Sequence, residues 1–372
     1  MLDQSLTLGK IWGISIGINA SWFIVFILVT LSLVTQFAGL HPQWSLAYAY
    51  TIGALTSLLF FVSVLLHELG HSAVALRKHI PIHSITLFIF GGIARMEKEP
   101  DRPLTELQIA IAGPLVSFAL GLAFSAFGHL AVGASEGLQT LGQWLGQINL
   151  NLALFNLLPG FPLDGGRVFR ALVWSRTGNF VRATHIAARV GRGVAYLFIL
   201  GGVWIGLSGS LLQGLWISFI GWFLLSAAQM NVQHLAFTQA LAGLQARDVM
   251  TTDCPRVSER LSLSQLVEDH ILLTGRRCFL VTTDDRLLGL MTVHQVKRVP
   301  RAAWPQTSVR EAMIPLERLR WVAPDTPLPE VLALMDEGDV GQAPVVRDGQ
   351  LLGLIGRDHL LRVIRARLEF RT

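Results

Sequence analysis

The clearest chemical signal in the chain is the pentapeptide HELGH at positions 67 to 71. On a helix, His67 and His71 lie one turn apart on the same face, so both imidazoles can bind one Zn²⁺ ion. Glu68 follows the first histidine, where its carboxylate can accept a proton from water that the metal activates. The spacing therefore predicts a hydrolytic zinc site with Glu68 as the candidate general base.

The pentapeptide follows an uncharged stretch of 21 residues, Leu46 to Leu66, which is long enough for a transmembrane helix. Ionisable groups in such a helix are costly enough to be functional by default. The composition of the whole chain also indicates a membrane protein, because 52% of its 372 residues are hydrophobic and only 15% are charged. The composition predicts an integral membrane protein in a lipid bilayer. Nucleic-acid binding is not expected, since no concentrated basic stripe with interleaved aromatic residues occurs.

Charged residues divide the apolar part of the chain into about six predicted transmembrane helices. Their ranges are 16–38, 46–75, 106–130, 143–163, 194–209 and 211–230. Lys and Arg concentrate in the connections after the second and fourth spans, whereas the other three connections contain neither. Because cytoplasmic loops collect these residues, both termini are predicted to be cytoplasmic, in an inner (plasma) membrane. A secretory signal peptide is disfavoured, because the uncharged run from Ile11 to Leu40 is too long.

A third protein ligand is expected, because zinc hydrolases usually hold three and leave a fourth position for water. The fourth span is unusually polar and breaks at Pro159, Gly160 and Pro162, just before Asp164. Irregular backbone at membrane depth is tolerated only against protein or a water-filled cavity, so this segment is predicted to line the zinc site. Asp164 is the candidate third ligand. The alternative is an Asp-Gly turn that only caps the span.

The composition changes near residues 235 to 245, after which short β-type runs alternate with helical stretches. DVMT at 248–251 parallels EAMIP at 311–315, and LLGLMTVHQV at 287–296 parallels LLGLIGRDHL at 351–360. This repeat predicts two copies of one small α/β unit. The predicted domains are 1–235 in the membrane, a linker at 236–246, and copies at 247–306 and 307–372.

Two cysteines, Cys254 and Cys278, form no CxxC pair. Their placement argues against a thiolate zinc site and against a disulfide framework, and it fits a reducing compartment.

HELGH on an apolar helix, followed by NLLPGFPLDGGR at 156–167, resembles the site-2 protease family of intramembrane zinc metalloproteases. The C-terminal repeat resembles a pair of cystathionine-β-synthase (CBS) domains, which one branch of that family carries. The resemblance implies a polytopic α-helical membrane protein with a short membrane-associated β segment and a C-terminal α/β CBS pair. It also implies one zinc per chain, bound by His67, His71 and Asp164, with Glu68 as general base. Asn156 would contact the substrate backbone or the developing oxyanion.

The β-rich run Ser84 to Arg95 contains Gly91 and Gly92 and lies just after the second span. It is the candidate edge strand that accepts an unwound substrate, because an extended peptide can add to an exposed sheet edge. An ordinary hairpin or a re-entrant turn is the alternative. His79 and His83, just upstream, are expected to be loop residues rather than extra ligands. In the third span, Gly113 and the proline after it are expected to permit close helix packing.

The expected function is hydrolysis of a peptide bond in or near the transmembrane segment of a membrane-anchored protein, such as a regulator or an anti-sigma factor. A CBS-gated metal transporter or channel without proteolytic activity is the alternative. The glutamate of HELGH favours the protease, because a transport site needs no general base. Another type of membrane zincin, such as those that process prenylated or signal-peptide substrates, is disfavoured by NLLPGFPLDGG.

The CBS pair is expected to regulate the enzyme and to support a homodimer. Its nucleotide signature is incomplete in both copies. Thr292 matches in the first copy, but Gln295 stands where an aspartate is usual. In the second copy, Gly356 and His359 replace both functional positions. Binding of an adenine nucleotide is therefore an open expectation.

Overall fold

The computed structural model describes residues 5–89, 91–252, 255–284, 286–315, 318–338, 340–348 and 350–369. The chain divides into two compact units, residues 1–233 and 234–372. The first unit combines a small sheet with long helices. Its elements in chain order are β1 (Ser5–Ile11), β2 (Ile14–Asn19), α1 (Ala20–Leu40), α2 (Leu46–Arg77), β3 (Ile82–Phe88), β4 (Gly91–Met96), α3 (Pro103–Leu130), α4 (Glu136–Asn156), α5 (Asp164–Thr177), α6 (Phe180–Leu207) and α7 (Leu211–Leu241).

Within the described ranges, five helices are long and apolar enough to cross a membrane, namely α1, α2, α3, α6 and α7. The expectation of a polytopic α-helical membrane protein is confirmed. Helix α4 has 21 residues, which is long enough, but glutamine, asparagine and glycine keep it below the same apolarity. Large apolar side chains on the other helices stay exposed, as a lipid-facing surface requires.

Several observed helices differ from the predicted spans, and α7 continues to Leu241, past the predicted end at residue 230. The predicted fourth span at 143–163 is shifted, because α4 ends at Asn156 and the following break leads into the separate helix α5. The predicted fifth span at 194–209 is too short, because α6 begins at Phe180 and passes through three arginines. Charged residues mark where a helix leaves the hydrocarbon, and helical hydrogen bonding continues past that point.

The sheet has the strand order β1-β2-β3-β4. Strands β1 and β2 form an antiparallel hairpin, β2 and β3 pair in parallel, and β3 and β4 form a second hairpin. The first hairpin was not predicted, and the first span starts later than expected, where the side chain of Asn19 caps α1. The run 84–95 forms a hairpin, and its second strand β4 lies at the edge of the sheet.

The sheet packs against the half of α2 that carries HELGH. Its buried contacts to that helix form one apolar cluster, which comprises Ile14, Ile16, Leu69, Ala75, Ile80, Ile82, Ile85 and Ile109. Ile109 belongs to α3, which packs against α2, α4 and α5. Burial of these side chains fixes the sheet and α3 on two sides of the histidines.

The second unit contains two small sheets with short helices around them. Its elements are α8 (Ala246–Val249), β5 (Arg256–Ser258), α9 (Leu263–Gln265) continued by a π-helical turn (Leu266–Leu272), β6 (Cys278–Thr283), β7 (Arg286–Thr292), α10 (Val293–Arg298), a 3₁₀ turn (Arg301–Ala303), α11 (Val309–Ala312), β8 (Ile314–Pro315), α12 (Leu328–Glu337), β9 (Gln342–Arg347), β10 (Gln350–Gly356) and α13 (Arg357–Glu369). The predicted α/β character is confirmed. Cys254 lies outside the described residues.

The two repeated copies exchange their opening segments. Residue Thr251 of the first opening pairs with Leu354 on β10, in the sheet of the second copy. Strand β8, in the opening of the second copy, pairs with β7 of the first. Each opening segment therefore completes the other copy's sheet, and the two copies form one folding unit.

Candidate metal centre

The three predicted ligands, His67, His71 and Asp164, lie together in the first unit and form the candidate metal-binding group, called the metal cluster. The Nε2 atoms of His67 and His71 are 3.2 Å apart, and Asp164 Oδ2 lies 3.1 Å from the first and 3.2 Å from the second. Both histidines are buried, at 5% and 6% exposure. The helix α2 supplies the histidines one turn apart, and Asp164 is the first residue of α5, 97 residues after His67.

This geometry fits a zinc ion. Ligand atoms held at about 2.0–2.1 Å around a tetrahedral zinc lie about 3.3–3.4 Å from each other, close to the three observed separations. Two imidazoles and one carboxylate are also the donors of known catalytic zinc sites. The three candidate ligand atoms all lie within 4.8 Å of one another, close enough for one ion to contact all of them.

Helix α3 holds the outer nitrogen of each histidine. The carbonyl oxygen of Ile109 accepts a hydrogen bond from His71 Nδ1 at 2.7 Å. Because a carbonyl oxygen can only accept, this nitrogen carries the hydrogen and the lone pair of neutral His71 is on Nε2, towards the cluster. His67 Nδ1 and Ser117 Oγ are 2.8 Å apart. Such outer contacts fix the ring orientation and the tautomer of metal-binding histidines.

Gly113 lies between these two supports on α3. A Cβ atom at this position would stand 2.2 Å from His71 Nε2 and 2.7 Å from His67 Nε2. Any side chain would therefore occupy the space between the two ligand atoms. The glycine permits close helix packing, as expected, and the contact it makes is with the metal cluster itself.

Glu68 lies beside the edge strand β4. A Cβ on Gly92 would come within 2.5 Å of Glu68 Cγ and 3.2 Å of Glu68 Oε1, so the strand backbone passes directly against this carboxylate. Gly91 has a φ of +123°, which side chains rarely adopt. The two predicted glycines therefore bring the free edge of the sheet next to the candidate base.

The polar residues of α4 divide between inside and outside. Asn149 is fully buried, and its amide donates to Ser63 Oγ on α2 at 3.3 Å. Gln147 and Asn151 are exposed and bond to each other. The amide of Asn156 donates to the Leu152 carbonyl in its own helix at 3.1 Å. Because this hydrogen bond lies within α4, the contact of Asn156 with substrate stays a prediction.

The metal cluster found among the described residues comprises His67, His71 and Asp164. His79 and His83 are exposed and lie outside it. His79 follows α2 in a turn, as expected, but the expectation of a loop position is wrong for His83, which lies in strand β3. The sequence did not identify Ile109 and Ser117 as supports for the histidines. Ser117 carried a signal, because it is a polar residue in an apolar span and lies four positions after Gly113 on one helix face. Ile109 acts through its backbone, which leaves no signal in the sequence.

Ser117→Ala is expected to weaken zinc binding by about 10–100-fold, because His67 loses the partner that orients its ring. Zinc competition between the purified protein and a fluorescent chelator measures the change. Ser226→Ala is the matched control, since Ser226 is a half-buried helical serine that donates to the Trp222 carbonyl of its own helix. Equal zinc affinity in the Ser117→Ala protein and the wild type would contradict the supporting role.

Comparison with known proteins gives two family matches. A model of peptidase family M50 matches residues 55–133 and 129–200, and a model of the CBS domain matches residues 303–366. The first match contains HELGH, and both motifs of the metal cluster lie within its combined range.

Two relatives align over nearly the whole chain. The Synechocystis protein sll0528, whose name assigns it provisionally to the zinc metalloproteases, is 36% identical over 98% of this chain and 96% of its own length. Zinc metalloprotease MJ0392 of Methanocaldococcus jannaschii is 30% identical over 98% of this chain and 97% of its own length.

A solved structure of a site-2 protease from Methanocaldococcus jannaschii is 32% identical, covering 61% of this chain and 95% of that chain with a TM-score of 0.41. The alignments with the two full-length relatives each cover 98% of this chain. The chain belongs to peptidase family M50, and it is a multi-pass membrane zinc metalloprotease of the site-2 protease type with a C-terminal CBS pair.

Proposed function

We propose that this protease hydrolyses a peptide bond in or near the transmembrane segment of a membrane-anchored protein, such as a regulator or an anti-sigma factor. The proposal is carried by the convergence of His67 and His71, on a helix long and apolar enough to span a membrane, with Asp164 of α5. His67, His71 and Asp164 would hold the zinc. Ionisable groups are costly within a transmembrane helix, so their presence there indicates that the reaction takes place at the membrane.

Each polar residue of the site has a role in the proposed reaction. When bound, zinc supplies a Lewis acid that polarises the scissile carbonyl and acidifies water. Glu68 accepts the proton of the attacking water and returns it to the leaving nitrogen. Asn156 is proposed to contact the substrate backbone or the developing oxyanion, for which its amide must leave the Leu152 carbonyl.

The edge strand β4 is proposed to bind the substrate as an added strand. A helical substrate has its carbonyls already hydrogen-bonded, so it must unwind before hydrolysis, and an open sheet edge offers new partners for its backbone. On the described part of the sheet, the outer side of β4 carries no further strand. Gly91 and Gly92 let the added chain lie close to Glu68.

The site is proposed to lie near the cytosolic face of the inner (plasma) membrane, with both termini in the cytoplasm. His71 precedes Arg77 by six residues on α2, a rise of about 9 Å. Asp164 precedes Arg167 by three residues on α5, a rise of about 5 Å. Because basic residues mark the cytosolic side, both ligands fall a short distance below it.

Cleavage of a single-pass reporter in reconstituted vesicles tests the proposed function. We expect zinc-dependent cleavage in or near the cytosolic end of the reporter's membrane segment, located by mass spectrometry. Chelation should stop the reaction and added Zn²⁺ should restore it. Cleavage that persists after chelation would contradict the proposal. Zinc uptake into the vesicles without any cleavage would instead favour the transporter alternative.

We further propose that the second unit binds a phosphate-bearing nucleotide that regulates the protease. A cleft of about 900 Å³ in this unit is lined by both CBS copies and by seven arginines, which are Arg276, Arg277, Arg298, Arg318, Arg320, Arg357 and Arg362. Arginine binds phosphate through paired hydrogen bonds. Gln295 and His359, which also line the cleft, replace the usual aspartates, so the phosphates rather than the ribose would supply most of the recognition.

Melting of the full-length protein in detergent tests this proposal, because a ligand that binds the folded state raises the Tm. ATP or ADP should raise it more than AMP, since each added phosphate meets more of the arginines. Arg298→Gln should reduce the shift, whereas Arg260→Gln, an exposed arginine outside the cleft, should not. Absence of any shift with all three nucleotides would remove this proposal.

A further inference from the structure

A buried ion pair joins α3 to α5 close to the metal cluster. Both Nε and Nη2 of Arg170 donate to Glu106 Oε1, the first at 2.6 Å. Glu106 is 0% exposed and Arg170 is 8% exposed. No sequence motif marks either residue, and neither takes part in the proposed reaction.

Two aromatic rings hold the same guanidinium. Its central carbon lies 5.2 Å from the ring centroid of Phe161, which precedes α5, and 4.6 Å from that of Phe180, which begins α6. Contacts at these distances are within the range of cation–π attraction. Arg170 therefore connects α3, the break before α5, α5 itself and the start of α6.

Stability alone is a weak reason for this pair. Removing two charges from water costs about as much as their mutual attraction returns, and apolar residues of similar volume often serve equally well. One carboxylate oxygen, Glu106 Oε2, also has no hydrogen-bond partner among the described atoms. A pair that stabilises little and is this completely buried is better explained by the geometry it imposes.

The position of Glu106 on α3 indicates that the ion pair fixes the geometry of the metal cluster. Glu106, Ile109, Gly113 and Ser117 are spaced by three, four and four residues, so they lie along one face of the helix. Ile109 O and Ser117 Oγ hold the two histidines, and Gly113 leaves room between their Nε2 atoms. The remaining member of this face, Glu106, holds α5, the helix that begins with Asp164.

Helix α5 needs such a support at its start. Its N-cap, Leu163, makes no side-chain capping hydrogen bond, and irregular chain precedes it from Leu157 onwards. Arg170 lies six residues after Asp164, about 9 Å along the helix. A rotation or sliding of α5 would therefore carry the carboxylate away from the histidines, and metal sites tolerate only about 0.5 Å of such displacement.

We propose that Glu106 and Arg170 are positioning residues that set the place of Asp164 relative to His67 and His71, so that α3 aligns all three zinc ligands. The inference rests on the proposed role of Asp164 as a ligand. It assigns no contact with substrate to either residue.

The test compares zinc binding by full-length purified variants. The double variant Glu106→Gln/Arg170→Gln removes both charges and leaves no unpaired buried ion. We expect its zinc affinity, measured by competition with a chelator, to fall by about 10–100-fold while its helical circular dichroism stays unchanged. With Co²⁺ in place of zinc, the visible d–d absorption should weaken as the Asp164 ligand is lost, a change that a purely structural role would not produce.

Two further variants make the result decisive. Arg176→Gln, an exposed arginine on the same helix, should bind metal as the wild type does. Asp164→Asn should lose zinc on dialysis, and its spectrum in excess Co²⁺ is the reference for a site without this ligand. Wild-type affinity in that variant would overturn the proposed site itself. If Asp164→Asn loses zinc but the double variant keeps wild-type affinity and spectrum, the positioning inference is wrong.

If the double variant does not fold, Arg170→Lys provides the test. This variant keeps the charge but loses the two-pronged contact with Glu106 and the flat face against the rings. It should show the same changes to a smaller degree, several-fold in zinc affinity. Wild-type affinity and spectrum in Arg170→Lys would equally overturn the inference.

Discussion

Replacing Glu68 with Gln is expected to leave zinc bound and to slow peptide hydrolysis by about 10²–10⁴-fold, the usual contribution of a general acid–base group. Glutamine has the same shape as glutamate, but its amide cannot accept the proton of the attacking water. The metal cluster formed by His67, His71 and Asp164 does not include Glu68, so the ligands stay intact. Metal analysis and turnover of the vesicle reporter measure the two effects separately.

Glu97→Gln is the matched control for this change. Glu97 is an exposed glutamate just after β4, and its replacement should alter neither zinc content nor turnover. Turnover of the Glu68→Gln protein within a few-fold of the wild type would remove Glu68 as the base. Loss of zinc from that variant would instead place Glu68 among the groups that hold the metal. The inactive, zinc-loaded protein should also retain bound substrate when it is expressed in its own cells. Identifying the retained protein would give the natural target.

Replacing Gly113 with Ala is expected to reduce zinc affinity by more than about 100-fold. The added methyl carbon would stand 2.2 Å from His71 Nε2, at the side from which this atom faces His67 and Asp164. His71 cannot turn aside freely, because its Nδ1 is held by the Ile109 carbonyl. Either the ring breaks that hydrogen bond or α3 moves away, and both separate the ligands. Zinc content after dialysis against a weak chelator measures the loss.

Gly201→Ala is the control for this substitution. Gly201 lies in α6, and a Cβ there meets no atom within 4 Å, so helix propensity changes without any new contact. This variant should keep its zinc and gain slightly in stability, since alanine favours a helix more than glycine does. A Gly113→Ala protein that retains one zinc per chain and full turnover would contradict the prediction that a side chain at position 113 separates the ligands.

Local patterns in the sequence predicted much of this site. Two histidines four residues apart on an apolar helix must face one way, because helix geometry sets their spacing whatever the rest of the fold does. The structure places Asp164 with them, as the break before it suggested. The comparisons confirm the family resemblance, and the ranges matched by the peptidase M50 model contain HELGH and the segment 156–167.

Other features could not be predicted from local patterns. The hairpin of β1 and β2 lies in a run that reads as apolar, and only its pairing with β3 makes it part of the sheet. Helix α6 starts well before its apolar stretch, because arginines at a membrane surface do not interrupt helical hydrogen bonds. The exchanged opening segments of the CBS copies follow from strand pairing between distant parts of the chain.

The sequence by itself determined the types of the candidate ligands, their helical spacing and the apolar helices, because periodicity and hydrophobicity are properties of neighbouring residues. Only the tertiary structure decided how the ligands are held. The support for His71 is a backbone carbonyl 38 residues away, and the contact of Gly92 with Glu68 joins a strand to a helix. Such contacts arise when separate elements pack together, and no residue type or spacing encodes them locally.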